Sequence, residues 1–269
     1  MLGAVYGDII GSYYEVHSTK DYNFPLQKES TFTDDTVLTV AVCQAILNNP
    51  KNISVFDIRK RGYEYAVQYQ AYYKRYPYSG YGAMFTAWAK SDELSVQKSY
   101  GNGGVMRVVP IGYAYDTLEQ VLLQAKASCY YTHNHRETIA GAKAVAGSVW
   151  LALHGKDKKE IQNFCEKQFG MKLDVSIDSL RKYISFDSRT NKSVPPSVIA
   201  FLQSNDYESA VRNAISLGGD ADTMACITGG IAEAYYKSVP HHIQSFCNSR
   251  IDFGLKTVIQ RFRKIYADR

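Results

Sequence analysis

Two short acidic clusters carry most of the chemistry that this chain's residue types allow. The first is Phe32-Thr33-Asp34-Asp35-Thr36, and the second is Leu217-Gly218-Gly219-Asp220-Ala221-Asp222-Thr223. Each pairs two carboxylates with a threonine hydroxyl and precedes a mostly apolar segment. For one such cluster, helix capping is a sufficient account, because a short polar side chain at a helix start takes up free backbone N–H groups. One cap needs one such side chain, however, and each cluster supplies two carboxylates. The segments that follow, 37–42 and 224–231, read as fully buried helices. Surplus carboxylates at buried helix starts repel one another unless cations are present. If the two starts converge, Asp34, Asp35, Asp220 and Asp222 bring four negative charges together, which two divalent cations would neutralise. Carboxylate and hydroxyl oxygens suit hard ions such as Mg²⁺, Mn²⁺ or Ca²⁺ and not zinc. Two such ions about 3.5–4 Å apart can activate a water and clamp substrate oxygens.

A second candidate is the run Gly101-Asn102-Gly103-Gly104. Glycines there permit φ > 0 and close backbone approach. Backbone N–H groups in such a loop suit a diphosphate, although a simple turn would account for the same residues.

The elements that must position these groups read as helices. Apolar residues at helical spacing mark 37–47, 55–74, 118–131, 138–153, 160–169, 196–202, 207–217, 223–236 and 253–265. A further helix precedes Glu15. No convincing alternating strand is present. Glycine-rich loops at 79–82, 101–104 and 218–219 separate helices. No linker or repeat divides the chain, so residues 1–269 are expected to form one compact all-α domain with orthogonally packed helices.

Five ordered motifs run nearly from end to end. They are Gly3-Ala4-Val5-Tyr6-Gly7-Asp8-Ile9-Ile10-Gly11-Ser12, Thr33-Asp34-Asp35-Thr36, Gly101-Asn102-Gly103-Gly104-Val105-Met106-Arg107, Thr132-His133 and Gly218-Gly219-Asp220-Ala221-Asp222-Thr223. With them the chain resembles the ADP-ribosylglycohydrolase family, whose members include the dinitrogenase-reductase-activating glycohydrolase and the arginine- and serine-type ADP-ribosylhydrolases. The serine-type motifs are the most similar. The resemblance implies a metal-dependent hydrolase that cuts the glycosidic bond at ribose C1″ of ADP-ribosylated protein or ADP-ribose polymer and releases ADP-ribose. It implies two divalent cations, Mg²⁺ or Mn²⁺, held by Thr33, Asp34, Asp35, Asp220, Asp222 and Thr223. Glu15 and Asp35 take the catalytic roles, Asp35 as a metal ligand. Glu15 matches a glutamate that follows the Gly-Asp-x-x-Gly-Ser segment on a mobile flap, which gives it general acid/base duty. Gly80, Gly82, Ser99, Tyr100, Gly101 and Gly103 would face the ADP portion, with His133 near the distal part of the site. Asn102, Met106 and Arg107 would support the glycine loop.

Two other functions remain open. One is a catalytically silent ADP-ribose reader, against which the intact clusters and Glu15 argue. The other is a two-metal phosphoesterase, which would release AMP. The match at Glu15 points to O-linked conjugates or polymer.

Bulk properties set wider bounds. The chain has 269 residues and a formal net charge of +5, which gives weak support to a nucleic-acid partner. The basic residues nearest the end (Arg250, Lys256, Arg261, Arg263, Lys264, Arg269) read as a solvated helix face. No apolar run reaches the roughly 18 residues of a membrane span. Five cysteines, an odd count without a Cys-x-x-Cys pair, suggest neither a disulfide framework nor a zinc site. Cys43 and Cys226, inside apolar helical patterns, read as buried, reduced thiols in a cytoplasmic setting. Six of the 22 tyrosines (Tyr63, Tyr65, Tyr69, Tyr72, Tyr73, Tyr76) lie in one stretch and read as packing and surface residues.

Overall fold

The computed structural model describes residues 1–267, which fold into fourteen α-helices and two short 3₁₀ turns without a β-strand. In chain order the helices are α1 (Leu2–Val16), α2 (Asp34–Asn48), α3 (Ile58–Arg75), α4 (Ala83–Lys90), α5 (Val109–Ala114), α6 (Leu118–Cys129), α7 (Arg136–Leu153), α8 (Lys158–Phe169), α9 (Ile177–Tyr183), α10 (Thr190–Leu202), α11 (Tyr207–Ile215), α12 (Ala221–Tyr236), α13 (His241–Asn248) and α14 (Phe253–Tyr266). The expected all-α architecture is present. The region read as 55–74 opens with a 3₁₀ turn, Val55–Asp57, closed by a Ser54–Asp57 capping box. The helix read from Pro196 starts at Thr190 and runs through Pro195 and Pro196. Burial of Val194, Val198 and Phe201 holds that helix despite the lost N–H groups. The four helices with no counterpart in the sequence reading (α4, α5, α9, α13) have eight residues or fewer, too few turns to show a clear period.

One pairing decides where the chemistry sits. Residues 221–232 of α12 are all buried, as expected of a helix apolar on every side. Helix α1 lies directly against it. Gly3, Gly7 and Gly11 recur every four residues and so share one face of α1. A Cβ at Gly7 would fall 2.0 Å from the Ala225 carbonyl oxygen, and one at Gly11 would fall 2.6 Å from Asp222 Cα. The two backbones therefore touch, and Asp8 and Glu15 are carried alongside the start of α12. Helices α7, α10 and α11 also pack on α12.

All five cysteines are free and buried. Tyr65, Tyr69, Tyr72 and Tyr73 pack in the core, whereas Tyr63 is exposed. Tyr76 donates a 2.5 Å hydrogen bond to Asp252. Among the described residues, no helix is long and apolar enough to cross a membrane. Of the basic residues near the end, Arg269 lies outside the described residues.

Candidate metal and substrate site

The two acidic clusters meet. Thr33 is the N-cap of α2 and accepts from the Asp35 backbone N–H at 3.3 Å. Asp34 and Asp35 thus occupy the first turn of α2 instead of preceding it. Asp220 begins α12 without a side-chain capping bond, and Asp222 lies in its first turn. Capping therefore falls to Thr33 and leaves Asp34, Asp35 and Asp220 free of that task. Across the junction, the Thr223 hydroxyl donates to Asp35 Oδ2 at 3.2 Å, and Thr33 Oγ1 lies 3.4 Å from Asp222 Oδ2.

Asp8 completes the junction and had no assigned role in the sequence reading. It is fully buried. Its carboxylate accepts from the Thr33 N–H at 3.0 Å, the Thr33 hydroxyl at 2.6 Å and the Thr36 N–H at 3.1 Å, and also from the Thr36 hydroxyl. Four donors make Asp8 the residue that orients the Thr33–Thr36 turn. The Gly-x-x-x-Gly-x-x-x-Gly spacing marks the face of α1 that meets α12, but the donors to Asp8 come from the Thr33–Thr36 turn, which that spacing does not reveal.

Glu15 requires a correction. It lies in the last turn of α1, not on a segment after it. Its carboxylate reaches within 4.8 Å of those of Asp220 and Asp222. The contact between α1 and α12 puts it there. A second group at the same spacing is Asp8, Asp35 and Asp222. Asp222 is common to both groups, so ligand atoms converge on two neighbouring points.

The electrostatics of these acids are uncompensated. Burial, then the charges of Asp8 and its acidic neighbours, push the Asp34 and Asp35 carboxyls well above the usual range. Asp222 is raised the same way, by burial and then by Asp35 and Asp220. Burial and Asp220 also raise Glu15, partly offset by a hydrogen bond with Asp222. Asp35 Oδ1 is buried and finds no hydrogen-bond partner. No lysine or arginine lines the cavity among the described residues. An all-oxygen donor set with surplus negative charge and an unpaired buried carboxylate oxygen fits hard divalent cations.

Above the acids opens a cavity of about 410 Å³, within the usual range for small-molecule sites. Glu15, Asp34, Asp35, Asp220, Asp222 and Thr223 line it, as do Gly80, Gly82, Ser99, Gly101, Gly103 and His133. Gly80 has φ +97, and a Cβ there would lie 3.5 Å from Asp34 Oδ1. The Asp34 N–H donates to the Ser79 carbonyl at 2.6 Å, which ties this loop to the start of α2. Tyr100 is not among the lining residues; it is half-exposed and its ring meets His135 edge-on at 5.8 Å.

The glycine loop differs from expectation in its reason. Residues 102–104 form a 3₁₀ turn, and Gly101 has φ −67. None of Gly101, Gly103 and Gly104 has positive φ. What glycine supplies is space: a Cβ at Gly104 would fall 2.5 Å from Thr138 Cγ2 and 2.8 Å from His133 Cβ. Asn102 does more than support the loop. Its Nδ2 donates to Asp220 Oδ2 at 2.8 Å and to Ser193 Oγ at 2.9 Å. The loop is pinned to segment 186–190 through Asn102 N to Ser188 O and Thr190 N to Tyr100 O. That contact brings Phe186 and Ser188 into the cavity wall, neither of which carried a motif.

Comparison with known proteins identifies the family and the fold. The sequence profile of the ADP-ribosylglycohydrolase family matches residues 1–261. The ADP-ribosylhydrolase ARH3 of Homo sapiens is 28% identical, with 92% of this chain and 87% of that protein covered. The ADP-ribosylhydrolase ARH3 of Xenopus tropicalis is 26% identical, with 88% and 85% covered. A solved structure described as an ADP-ribosylglycohydrolase-related protein complex shares the fold, with a TM-score of 0.66, 21% identity and coverage of 97% of this chain and 96% of that one. With its helical fold, its paired acidic helix starts and a profile match over nearly its whole length, this chain belongs to the ADP-ribosylglycohydrolase family of hydrolases.

Proposed function

We propose that the protein is a metal-dependent hydrolase that cleaves the bond at ribose C1″ of ADP-ribosylated protein or ADP-ribose polymer and releases ADP-ribose. The observation that carries this reading is the convergence of Asp34, Asp35, Asp220, Asp222 and Glu15 on one cavity whose lining, among the described residues, holds no lysine or arginine. Thr33, Asp34, Asp35, Asp220, Asp222 and Thr223 would hold two divalent cations, Mg²⁺ or Mn²⁺. Bound there, such ions would fix ribose hydroxyls and polarise a water.

The chain's own groups do the rest. Glycosidic cleavage passes through an oxocarbenium-like transition state. Carboxylates around the ribose stabilise that developing positive charge without reorganising. Glu15, its carboxyl raised by burial, takes the water's proton or returns one to the leaving group. Asp35 would hold one of the cations, its buried and unpaired Oδ1 being free to do so. Gly80, Gly82, Ser99, Gly101 and Gly103 leave room for the ADP portion along one wall. Residues 1–269 act as one domain in this reading. Five free, buried thiols support a cytoplasmic setting.

The test is incubation of the purified protein with O-linked, N-linked, polymeric and nucleic-acid ADP-ribose conjugates, with release followed by mass spectrometry. Free ADP-ribose from an O-linked conjugate or from polymer is the expected product. AMP would replace the reading with a two-metal phosphoesterase. Tight ADP-ribose binding without release from any conjugate would make the protein a reader.

A further inference from the structure

His133 takes no part in the acidic junction, yet its imidazole lines the cavity and is buried. Burial, and then the positive charge of Arg107, hold the ring well below the usual imidazole pKa, so it is neutral. A neutral imidazole carries one N–H and one lone pair, and their assignment decides whether it offers a ligand a donor or an acceptor.

The surroundings make that assignment. Thr132 Oγ1 lies 2.8 Å from His133 Nδ1 and receives a 2.6 Å hydrogen bond from Arg107 Nη2. A guanidinium can only donate, so this bond uses a lone pair of the hydroxyl and leaves its single proton to be given away. Nδ1 is the acceptor in reach. Arg107 has little freedom to do otherwise. It is wholly buried, its Nη2 also donates to the Ser128 carbonyl at 3.1 Å, and its guanidinium lies 3.9 Å from the Tyr69 ring centroid. The His133 backbone is fixed as well, through its N–H to the Cys129 carbonyl at 2.8 Å and a β-bridge to Lys98. The other ring nitrogen faces the glycine loop, where a Cβ on Gly103 would lie 3.1 Å from Nε2.

We propose that Arg107 and Thr132 are positioning residues that lock the ring of His133 with its proton on Nε2, so that this N–H is presented to an acceptor atom of the ADP-ribose portion. The ligand rests on the function proposed above; the tautomer does not.

Two measurements separate these parts. In full-length protein labelled with ¹⁵N-histidine, the nitrogen spectrum at neutral pH should show His133 with a bare Nδ1 and a protonated Nε2. His133→Asn assigns the signals by removing them. Calorimetry with ADP-ribose and Mg²⁺ should then show that Thr132→Val binds about tenfold more weakly, the size of one hydrogen bond lost in a dry site. Thr132→Val should raise KM while kcat stays within about twofold, because binding and not the chemical step is touched. Thr132→Ser, which keeps the hydroxyl, should restore both the spectrum and the affinity and serves if the valine variant folds poorly. A proton on Nδ1 in the parent, or parental affinity in a folded Thr132→Val, would overturn the relay. If the parent itself binds no ADP-ribose, the functional reading fails while the nitrogen spectrum still decides the tautomer.

Discussion

Glu15 is where the residue scale is most informative, because two roles meet in one carboxylate. Its raised pKa suits proton transfer, and its position beside Asp220 and Asp222 also suits metal binding. Glu15→Gln keeps the shape and removes the charge. Proton transfer predicts a fall in turnover of about 10²–10⁴, with ADP-ribose affinity retained and no recovery when Mn²⁺ is raised. A rate restored by excess Mn²⁺ would assign Glu15 to metal holding instead. Gly103 is a second test at this scale. Its substitution by valine pushes a branched side chain toward the His133 ring. Gly103→Val should weaken ADP-ribose binding, read by calorimetry, more than it lowers Tm. Equal affinity in the variant would remove this wall from the ligand site.

At the scale of elements, the site depends on how closely α1 approaches α12. Gly7→Ala puts a methyl group 2.0 Å from the Ala225 carbonyl oxygen, which is backbone and has no side chain to swing aside. Overpacking of this kind costs about 1–3 kcal/mol or more, and relief comes only by pushing α1 outward with Asp8 and Glu15 on it. The expected result is lower stability in urea together with weaker Mg²⁺ binding. Gly82→Ala is the control, since nothing lies within 4 Å of its Cβ and its φ of −60 suits alanine. It should leave stability within about 1 kcal/mol of the parent. Loss of stability in Gly7→Ala with metal affinity unchanged would uncouple the helix contact from the site. The same contact explains what could be read from the sequence. Asp34, Asp35, Asp220 and Asp222 stood out because charge before an apolar helix breaks a local pattern. Asp8 did not, because one acid in an apolar helix acquires meaning only from the turn it faces across space. Phe186 and Ser188 lie on an irregular segment placed by hydrogen bonds to the glycine loop, and no periodicity encodes that. The glycines of residues 101–104 were legible as important but for the wrong reason, since the sequence does not show which side chains crowd a backbone.

At the scale of the whole molecule, the acidic junction couples folding to metal. Only the folded chain holds Asp34, Asp35, Asp220 and Asp222 together, so divalent cations should bind it far better than the unfolded chain. Metal at about 100 times its dissociation constant adds roughly 2.7 kcal/mol of stability. In a chain of this size each kcal/mol moves Tm by about 2–4 °C. A chelator should therefore lower Tm by roughly 5–10 °C and abolish hydrolysis, and Mg²⁺ or Mn²⁺ should restore both. Asp35 and Asp222 are the sharpest probes because both are buried and raised well above the usual carboxylate range. Asp35→Ala or Asp222→Ala should blunt the metal response. Without metal, either variant should melt at or above the parent, because a buried charge and its repulsion are gone while the Thr33 cap of α2 remains. A purely structural role for these acids predicts the reverse: a parent indifferent to chelator and a loss of about 0.5–2 kcal/mol from each substitution. Scanning calorimetry of the parent and both variants, with and without chelator, decides between the two predictions. Chelator-resistant melting together with chelator-resistant hydrolysis would leave the converged carboxylates without cations to hold.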